Sequence, residues 1–266
     1  MTETYTHGHH DSVLRSHRWR TVENSAAYAV DHLTPGTTVL DVGCGPGTIT
    51  ADIAVRVAPG AVIGVDRAAD VLVEATRHAR DVGAENLTFA AQDVYSLPYD
   101  DGTFDVVHAH QTLQHLAEPV LALKEMRRVC RSGGVVVARE SDYAGFTWYP
   151  RLPELDTWMG LYQSTARANG GEPDAGRRLL AWARAAGFTE VTPSASVWCF
   201  ATPEDREYWG RMWAARILDS RMADQVVETG LGSREDLQKM SAAWQRWTED
   251  PDGWISILHG EVVCRV

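Results

Sequence analysis

VLDVGCGPGT, residues 39–48, is the stretch of this 266-residue sequence that decides its fold. An apolar run is followed by three glycines, Gly43, Gly45 and Gly47, and then by residues 49–57, which are compatible with a helix. A strand, a glycine turn and a helix in this order predict a βα turn that binds a ligand. Glycines let the ligand approach the backbone, and they accept positive φ angles that other residues avoid.

The spacing of the glycines distinguishes between classes of ligand. Dinucleotide-binding turns read G-x-G-x-x-G, and their last glycine lets the helix pack closely on the strand beneath a pyrophosphate. Here the pattern is G-x-G-x-G, and Thr48 occupies the position of that last glycine. Asp41, just before the turn, would repel a pyrophosphate but could contact an ammonium group. Both departures favour a nucleoside that carries an amino acid.

Five strand patterns alternate with helix patterns between residues 39 and 140. The strand patterns cover residues 39–42, 61–66, 87–91, 104–110 and 135–140. This alternation predicts an α/β fold in which a Rossmann-like, doubly wound and mostly parallel sheet has helices on both faces. Two later strand patterns raise the expected number of strands to seven.

The chain divides into six segments by pattern. Two helix-rich segments interrupt the sheet, and we expect them to form caps over its edge. The segments are an N-terminal helical lid (1–36), a ligand-binding core (37–140), a first helical cap (141–173), a return to the core sheet (174–202), a second helical cap (203–252) and a terminal strand (253–266).

Residues 12–33 carry apolar side chains near helical spacing and precede Pro35-Gly36, so the pattern predicts one helix. Two interpretations of this helix stay open. It could be amphipathic, with a solvated basic face that includes Arg18 and Arg20. It could also be a lid over the ligand, because a helix before the first strand must cross the mouth of the sheet.

Asp66 ends the second strand pattern, 25 residues after Asp41. Doubly wound folds place a carboxylate near this interval, where it accepts hydrogen bonds from both hydroxyls of a ribose. We therefore predict that Asp66 binds a ribose. A second role as N-cap of the following helix is compatible with this prediction.

Five segments of the chain share one resemblance. They are VLDVGCGPGT at 39–48, the strand that ends at Asp66, QDV at 92–94, FDVVHAHQTLQHL at 104–116 and RSGGVVVARE at 131–140. Together they resemble the class I S-adenosylmethionine-dependent methyltransferases of the ubiquinone/menaquinone-biosynthesis type. Members of that group methylate carbon, oxygen and nitrogen atoms of small molecules.

The resemblance implies S-adenosylmethionine as the cofactor. Asp41 and the amides of the glycine turn would hold its methionine end, and Asp66 its ribose. The carboxylate of Asp93 and the N–H of Val94 would contact the adenine. The cofactor contacts expected from the resemblance are Asp41, Gly43, Cys44, Gly45, Gly47, Asp66, Arg67, Gln92, Asp93, Val94, Ala109 and His110. For the Cys44 thiol itself we expect packing rather than chemistry.

The implied reaction is methyl transfer by in-line displacement at the sulfonium carbon. A general base is needed only if the acceptor loses a proton before or during the attack. His110 and His115 are candidate catalytic bases because they follow the fourth strand, at the switch point where such sheets bind ligands. His17 could reach in from the lid. Each could instead be a structural histidine or a cofactor contact.

Nine of the ten tryptophans lie after residue 147, in and around the two predicted caps. One interpretation is an aromatic-lined substrate pocket formed by the caps. The other is that large aromatic side chains fill the cores of the helical segments. On the first interpretation the candidate substrate contacts are Gln111, Tyr143, Trp148, Trp198 and Trp213.

Composition argues against several classes of function. The formal charge of -11 disfavours a nucleic-acid partner, since phosphate binding needs a concentrated basic surface. No apolar run is long enough to span a membrane, and the N-terminus lacks the apolar region of a signal peptide. Four scattered cysteines without a C-x-x-C pair indicate reduced thiols and a cytoplasmic protein. We expect no metal, because His7, His9 and His10 lie in a tail without preformed geometry.

The expected partner is therefore a small-molecule methyl acceptor, and the oligomeric state stays open between monomer and homodimer. Two other functions also stay open. A regulator that binds the cofactor without catalysis would keep the same motifs. An NAD(P)-dependent oxidoreductase would share the fold, although Thr48 and Asp41 count against it.

Overall fold

The computed structural model of the protein describes residues 19–266, and its centre is an eight-stranded sheet. The strands are β1 (Val39–Val42), β2 (Val62–Asp66), β3 (Leu87–Ala91), β4 (Phe104–His110), β5 (Cys130–Ser141), β6 (Thr147–Tyr149), β7 (Glu190–Phe200) and β8 (Trp254–Arg265). The first five are parallel and lie in the order β3-β2-β1-β4-β5. The predicted α/β architecture with a mostly parallel sheet is confirmed.

The antiparallel part of the sheet explains why the expected number of seven strands was wrong. On one side of β8, residues 259–265 pair with β5, and on the other side residues 255–265 pair with β7. β8 is longer than its contact with β5, and residues 254–256 pair with the short strand β6. β6 is the strand that raises the number to eight. It gives hydrogen-bond partners to N–H and C=O groups of β8 that would otherwise lie at an open edge.

Helices cover the parallel strands and form a separate layer beside β7 and β8. Within the described residues they are α1 (Val22–Ser25), α2 (Thr48–Val57), α3 (Ala69–Asp81), α4 (Pro119–Val129), α5 (Pro153–Ala168), α6 (Leu179–Ala185), α7 (Pro203–Asp219), α8 (Arg221–Glu228) and α9 (Arg234–Glu249). Capping boxes start three of them, Thr21 with Asn24 for α1, Thr202 with Asp205 for α7 and Ser233 with Asp236 for α9. None of these described helices is long and apolar enough to cross a membrane.

The N-terminal segment differs from the single helix predicted over residues 12–33. In the described part, α1 has only four residues and is capped by a reciprocal pair of hydrogen bonds between Thr21 and Asn24. The helix stops because the backbone of Ala26 leaves the helical region, with φ -136° and ψ 18°. A 3-10 helix, Ala27–His32, follows, and its apolar side chains pack on the face of β1, β4 and β5.

The two predicted caps combine into one helical layer with its own core. α5 from the first cap and α7, α8 and α9 from the second pack with β7 and β8 around a cluster of buried aromatic side chains. The tryptophans buried most completely there are Trp158, Trp213, Trp244 and Trp247. Their burial matches the second interpretation of the tryptophan-rich region, in which the aromatic side chains fill a helical core.

Gly260→Ala is expected to destabilise the fold, because β8 passes close to the backbone of Gly176. A Cβ at residue 260 would lie 2.1 Å from the carbonyl oxygen of Gly176, and backbone atoms cannot yield as a flexible side chain can. Overpacking of this kind costs about 1–3 kcal/mol, which lowers the melting temperature by about 2–12 °C.

Gly160→Ala is the matched control for this substitution. Gly160 lies exposed in the interior of α5, and a Cβ there would meet nothing within 4 Å. Alanine favours a helix by about 1 kcal/mol over glycine, so this variant should melt at the same temperature or higher. Thermal unfolding followed by circular dichroism compares the two, and equal melting temperatures would contradict the prediction.

Candidate active site

A cavity of about 400 Å³ opens at the carboxyl ends of the parallel strands, the edge at which such sheets bind ligands. Of the cofactor contacts expected from the sequence, it is lined by Asp41, Gly43, Cys44, Gly45, Asp66, Arg67, Gln92, Asp93, Val94 and His110. Gly47 and Ala109 were also expected as contacts, but neither is among the lining residues. A side chain at Gly47 would meet Ala75 and Phe89, and Ala109 is buried in the core on the other face of the sheet.

The wall between β1 and β4 is formed by a buried carboxylate and a histidine. Asp41 is 3% exposed; one of its oxygens lies 2.7 Å from Nδ1 of His108, and the other accepts a hydrogen bond of 2.5 Å from the Thr50 hydroxyl. Asp41 and His108 are in-register neighbours on the two strands, which brings their side chains together. Sequence reasoning missed His108, although a histidine inside the apolar run of β4 was a visible signal.

Asp66 holds the glycine turn from the neighbouring strand. One of its carboxylate oxygens accepts a hydrogen bond from the N–H of Gly45 at 3.0 Å, and the other from Ala68 at 2.9 Å. Gly43, Gly45 and Gly47 all have positive φ, between 53° and 76°, which explains why the turn needs glycine. The carboxylate therefore connects the turn to the segment that leads into α3.

Gln92, Asp93 and Val94 line the cavity beyond β3. One oxygen of Asp93 accepts a hydrogen bond of 3.0 Å from the N–H of Tyr95, which fixes the carboxylate at the strand end. Cys44 lines the cavity from within the glycine turn. Burial, followed by the charges of Asp41 and Asp66, raises the pKa of the Cys44 thiol well above its ordinary value. The thiol therefore stays protonated, which agrees with a packing role.

Two of the three candidate bases line the cavity, and both have a lowered pKa. His110 is 6% exposed, and neither of its ring nitrogens has a hydrogen-bond partner within residues 19–266. Burial, and then the charges of Arg20 and Arg139, lowers the pKa of His110 well below its ordinary value. Burial lowers the pKa of His115 to about 4. Both rings are therefore neutral near pH 7. His17 lies outside the described residues.

The loop that follows β4 is fixed by a buried acid that the sequence did not single out as a site residue. Glu140, at 0% exposure, accepts hydrogen bonds from the backbone N–H groups of Thr112, Leu113 and Gln114, at 3.0, 2.8 and 3.2 Å. Burial raises the pKa of Glu140 to about 8, although these three donors act to lower it. The loop carries the cavity residues Thr112 and His115, so Glu140 positions one wall of the site.

The expected substrate contacts separate into two groups. Gln111 lines the cavity, and the Trp198 ring lies 5.8 Å from that of His110. Tyr143, Trp148 and Trp213 do not line the cavity and instead pack within the helical layer. No residue of 141–173 or 203–252 is among those that line the cavity. The two caps therefore supply none of the lining of this cavity, and their aromatic side chains bury their surfaces against one another.

Residues 33–186 match the family model described as "Methyltransferase domain", which covers more than half of the chain. The chain belongs to the methyltransferase family. This methyltransferase is 37% identical over 271 residues to the uncharacterized methyltransferase C1B3.06c of Schizosaccharomyces pombe, with 98% of this chain and 96% of the relative covered. The match therefore includes the helical layer as well as the parallel sheet.

The likeness to the ubiquinone/menaquinone-biosynthesis type is more limited. The methyltransferase is 38% identical to the ubiquinone/menaquinone biosynthesis C-methyltransferase UbiE of Bdellovibrio bacteriovorus, but over 126 residues, 47% of this chain and 51% of the relative. The YcgJ protein of Bacillus subtilis has a similar fold, with a TM-score of 0.56 at 15% identity, covering 90% of this chain and 97% of that one.

The cavity suits the S-adenosylmethionine that the sequence resemblance implies. The carboxylates of Asp66 and Asp93 stand at neighbouring strand ends, as hydrogen-bond acceptors for a nucleoside. The Nε2 atom of His108 and both ring nitrogens of His110 are buried and lack protein partners among the described residues. Both histidines line the cavity, so these polar atoms lie beside the space that a bound molecule would fill.

Glu140→Ala is expected to lower both stability and cofactor affinity. The substitution leaves three backbone N–H groups without an acceptor, which costs about 3 kcal/mol or more, and it releases the loop that carries His115. Chemical denaturation measures the first effect, and calorimetric titration with S-adenosylhomocysteine the second. Glu125→Ala is the control, since Glu125 also accepts a backbone hydrogen bond, from Leu97, but does not line the cavity. Equal cofactor affinity in the two variants would contradict the positioning role.

The lowered pKa of His115 predicts a pH dependence of stability. The folded protein keeps this ring neutral down to pH about 4, whereas the unfolded chain protonates it near its ordinary pKa of 6.5. Stability that is present above pH 6.5 is thus lost as the pH falls toward 4. In His115→Gln, the unfolding free energy should fall less steeply between these values, by up to about 1.4 kcal/mol per pH unit. Urea titrations at several pH values test this, and identical slopes would rule it out.

Proposed function

We propose that this methyltransferase transfers the methyl group of S-adenosylmethionine to a small, apolar or aromatic metabolite. The observation that carries the proposal is that three carboxylates, those of Asp41, Asp66 and Asp93, line one cavity together with the glycine turn. They come from the ends of three neighbouring strands in the order β3-β2-β1. An elongated nucleoside with a charged amino-acid end can contact all three.

The contacts of each acid support a specific role. Asp66 accepts one hydrogen bond on each oxygen, and a carboxylate has about four acceptor sites, so two remain for the ribose hydroxyls. Asp93 and the N–H of Val94 stand beyond β3 and would hold the adenine. The methionine end would lie at the glycine turn, near Asp41.

The remaining part of the cavity would receive the acceptor. When bound, S-adenosylmethionine supplies a methyl group already activated by a sulfonium, so the protein must chiefly hold the acceptor in line. Such positioning contributes up to about 7–11 kcal/mol in favourable models. His110, Gln111 and His115 line this side, and Trp198 adds an aromatic surface beside His110. The neutral ring of His110 can accept a hydrogen bond from an acceptor hydroxyl or amine, whereas Nε2 of His115 already accepts from the side-chain amide of Gln114 at 3.1 Å. The lowered pKa of both rings makes them weak bases.

Three finer statements belong to the same proposal. We propose that the acceptor is not a nucleic acid, because the formal charge of -11 disfavours phosphate binding. We propose a cytoplasmic location, which the four free cysteines support. We further propose that residues 1–36 act as a lid, supported by Arg20, which lines the cavity from this segment.

Asp66→Asn and Asp93→Asn test the cofactor part of the proposal. Each substitution removes a charge and one acceptor oxygen from the nucleoside contacts, so the Kd for S-adenosylhomocysteine should rise at least tenfold, about 1.4 kcal/mol. Asp70→Asn is the matched control, because Asp70 is exposed in the first turn of α3 and does not line the cavity. Isothermal titration calorimetry compares the three variants. Absence of binding to the wild-type protein would remove the proposal.

Turnover is tested separately from binding. A panel of small aromatic and isoprenoid metabolites is incubated with S-adenosylmethionine, and S-adenosylhomocysteine is quantified. At least one compound should raise its production well above the rate without acceptor.

A further inference from the structure

A row of buried polar side chains leads away from the cavity on the same face of the sheet. Arg139 on β5 is the in-register neighbour of His110, and Glu261 on β8 is the in-register neighbour of Arg139. Neighbouring strands lie about 4.8 Å apart, and paired residues share one face. We call His110, Arg139 and Glu261 the polar row. Its first member lines the cavity, and its second lies one strand further on.

Arg139 uses only one edge of its guanidinium group. It is 1% exposed, and its Nε donates to Glu261 at 3.2 Å and to the Ser196 hydroxyl at 3.1 Å. Glu261 also accepts hydrogen bonds from the hydroxyls of Ser194 and Ser196, so the acid is well occupied. The Nη1 and Nη2 atoms of Arg139 are buried and have no hydrogen-bond partner within residues 19–266. Leaving charged donors unpaired in a protein interior is strongly destabilising.

Other unpartnered polar atoms surround the same place. The hydroxyl of Tyr28 is buried without a partner in the described part of the chain, as are both ring nitrogens of His110. The side chain of Trp198 forms a common wall, with its ring centre 4.8 Å from the Arg139 guanidinium carbon and 5.8 Å from the His110 ring. The free groups are mostly N–H and O–H donors. A ligand that satisfies them must therefore offer several acceptor oxygens.

Gln111 lines the cavity next to His110, and its backbone N–H donates to the carbonyl oxygen of Arg139 at 2.8 Å. Its side-chain oxygen accepts a hydrogen bond of 2.7 Å from Arg20, and its amide nitrogen lies 2.8 Å from Nε2 of His259. His259 Nδ1 lies 3.0 Å from the carbonyl oxygen of Ile257, which can only accept. The proton is therefore on Nδ1, and Nε2 accepts from Gln111. Gln111 also has a φ of 51°, an uncommon angle for a residue other than glycine. Arg139 does not line the cavity, so a ligand reaches its guanidinium only after a side chain at the cavity wall moves.

We propose that the methyl acceptor carries a carboxylate, which binds the free edge of the Arg139 guanidinium once the Gln111 side chain has turned aside. This inference rests on the proposed function and adds a substrate class to it. The planar fork of an arginine presents two parallel donors that match the two oxygens of a carboxylate. Tyr28 and His110 supply further donors, and the Arg20 guanidinium, 5.5 Å from the Trp198 ring centre, adds a second positive charge. The bound acid fixes how the rest of the acceptor faces the cofactor.

Matched acids and amides test the proposal on the full-length protein saturated with S-adenosylhomocysteine. The probes are benzoate, 4-hydroxybenzoate and indole-3-acetate, each compared by calorimetry with its primary amide. At least one acid should bind at least tenfold more tightly than its amide. Arg139→Lys, which keeps the charge but lacks the fork, should reduce that preference at least tenfold and change the affinity for S-adenosylhomocysteine less than twofold.

Arg206→Lys is the control variant, because Arg206 is also buried but donates to the carbonyl oxygens of Ala201 and Thr248 in another part of the molecule. It should keep the acid preference of the wild type. Acids and amides that bind equally, or an unchanged preference in Arg139→Lys, would overturn the proposal. Failure of S-adenosylhomocysteine to bind would instead remove the proposed function.

A crystallographic measurement on the wild type keeps the test independent of whether Arg139→Lys folds. Crystals are soaked in sodium bromide, and the anomalous signal should place bromide within hydrogen-bond distance of Nη1 or Nη2 of Arg139. An ordered water alone at that position would overturn the proposal. Bromide there without any acid preference would show an anion site that the acceptor does not use, and would overturn it as well.

Discussion

The contact between the Asp41 carboxylate and the His108 ring joins the two strands from which the site is built. A buried carboxylate is stable only when its oxygens are hydrogen-bonded, and here His108 and Thr50 supply the two partners. β1 continues into the glycine turn, and β4 into the loop with Gln111 and His115. The relative position of turn and loop therefore depends on this contact. Because Asp41 and His108 are paired in register, the arrangement follows directly from the order of the parallel strands.

Acidic residues in this protein have two tasks. They accept hydrogen bonds from backbone N–H groups, and they line the cavity that would bind a ligand. Asp66 binds the N–H groups of Gly45 and Ala68, and Glu140 binds three consecutive N–H groups of the loop after β4. Loops at a sheet edge have N–H groups without strand or helix partners, and a carboxylate can accept several of them at once. The walls of the cavity are thus fixed by the protein alone. A cofactor that enters meets groups that are already in place, which lowers the cost of ordering them on binding.

The helical layer and the cavity occupy different parts of the molecule. The layer packs on β7 and β8 through its tryptophans, whereas the cavity lies at the ends of β1 to β4. The acceptor side is bounded by His110, the first member of the polar row, and by Arg20, which belongs to the segment before β1. Substrate selection in our proposal therefore depends on side chains of the sheet and of the N-terminal segment. The helices stabilise β7 and β8, on which Trp198 and Glu261 lie.

The sequence by itself determined the parallel core and the identity of the cavity's acids. Glycines and strand-end carboxylates are local signals, because a tight turn needs positive φ and the ends of parallel strands meet at one edge. The partners of His108, Glu140 and Arg139 were decided only by the tertiary structure. Each of these contacts joins different strands or loops, and register between strands sets it rather than spacing along the chain. The role of the tryptophans was also decided only by the tertiary structure. An aromatic side chain suits a pocket and a helical core equally well, and the packing of the helices placed these side chains in a core.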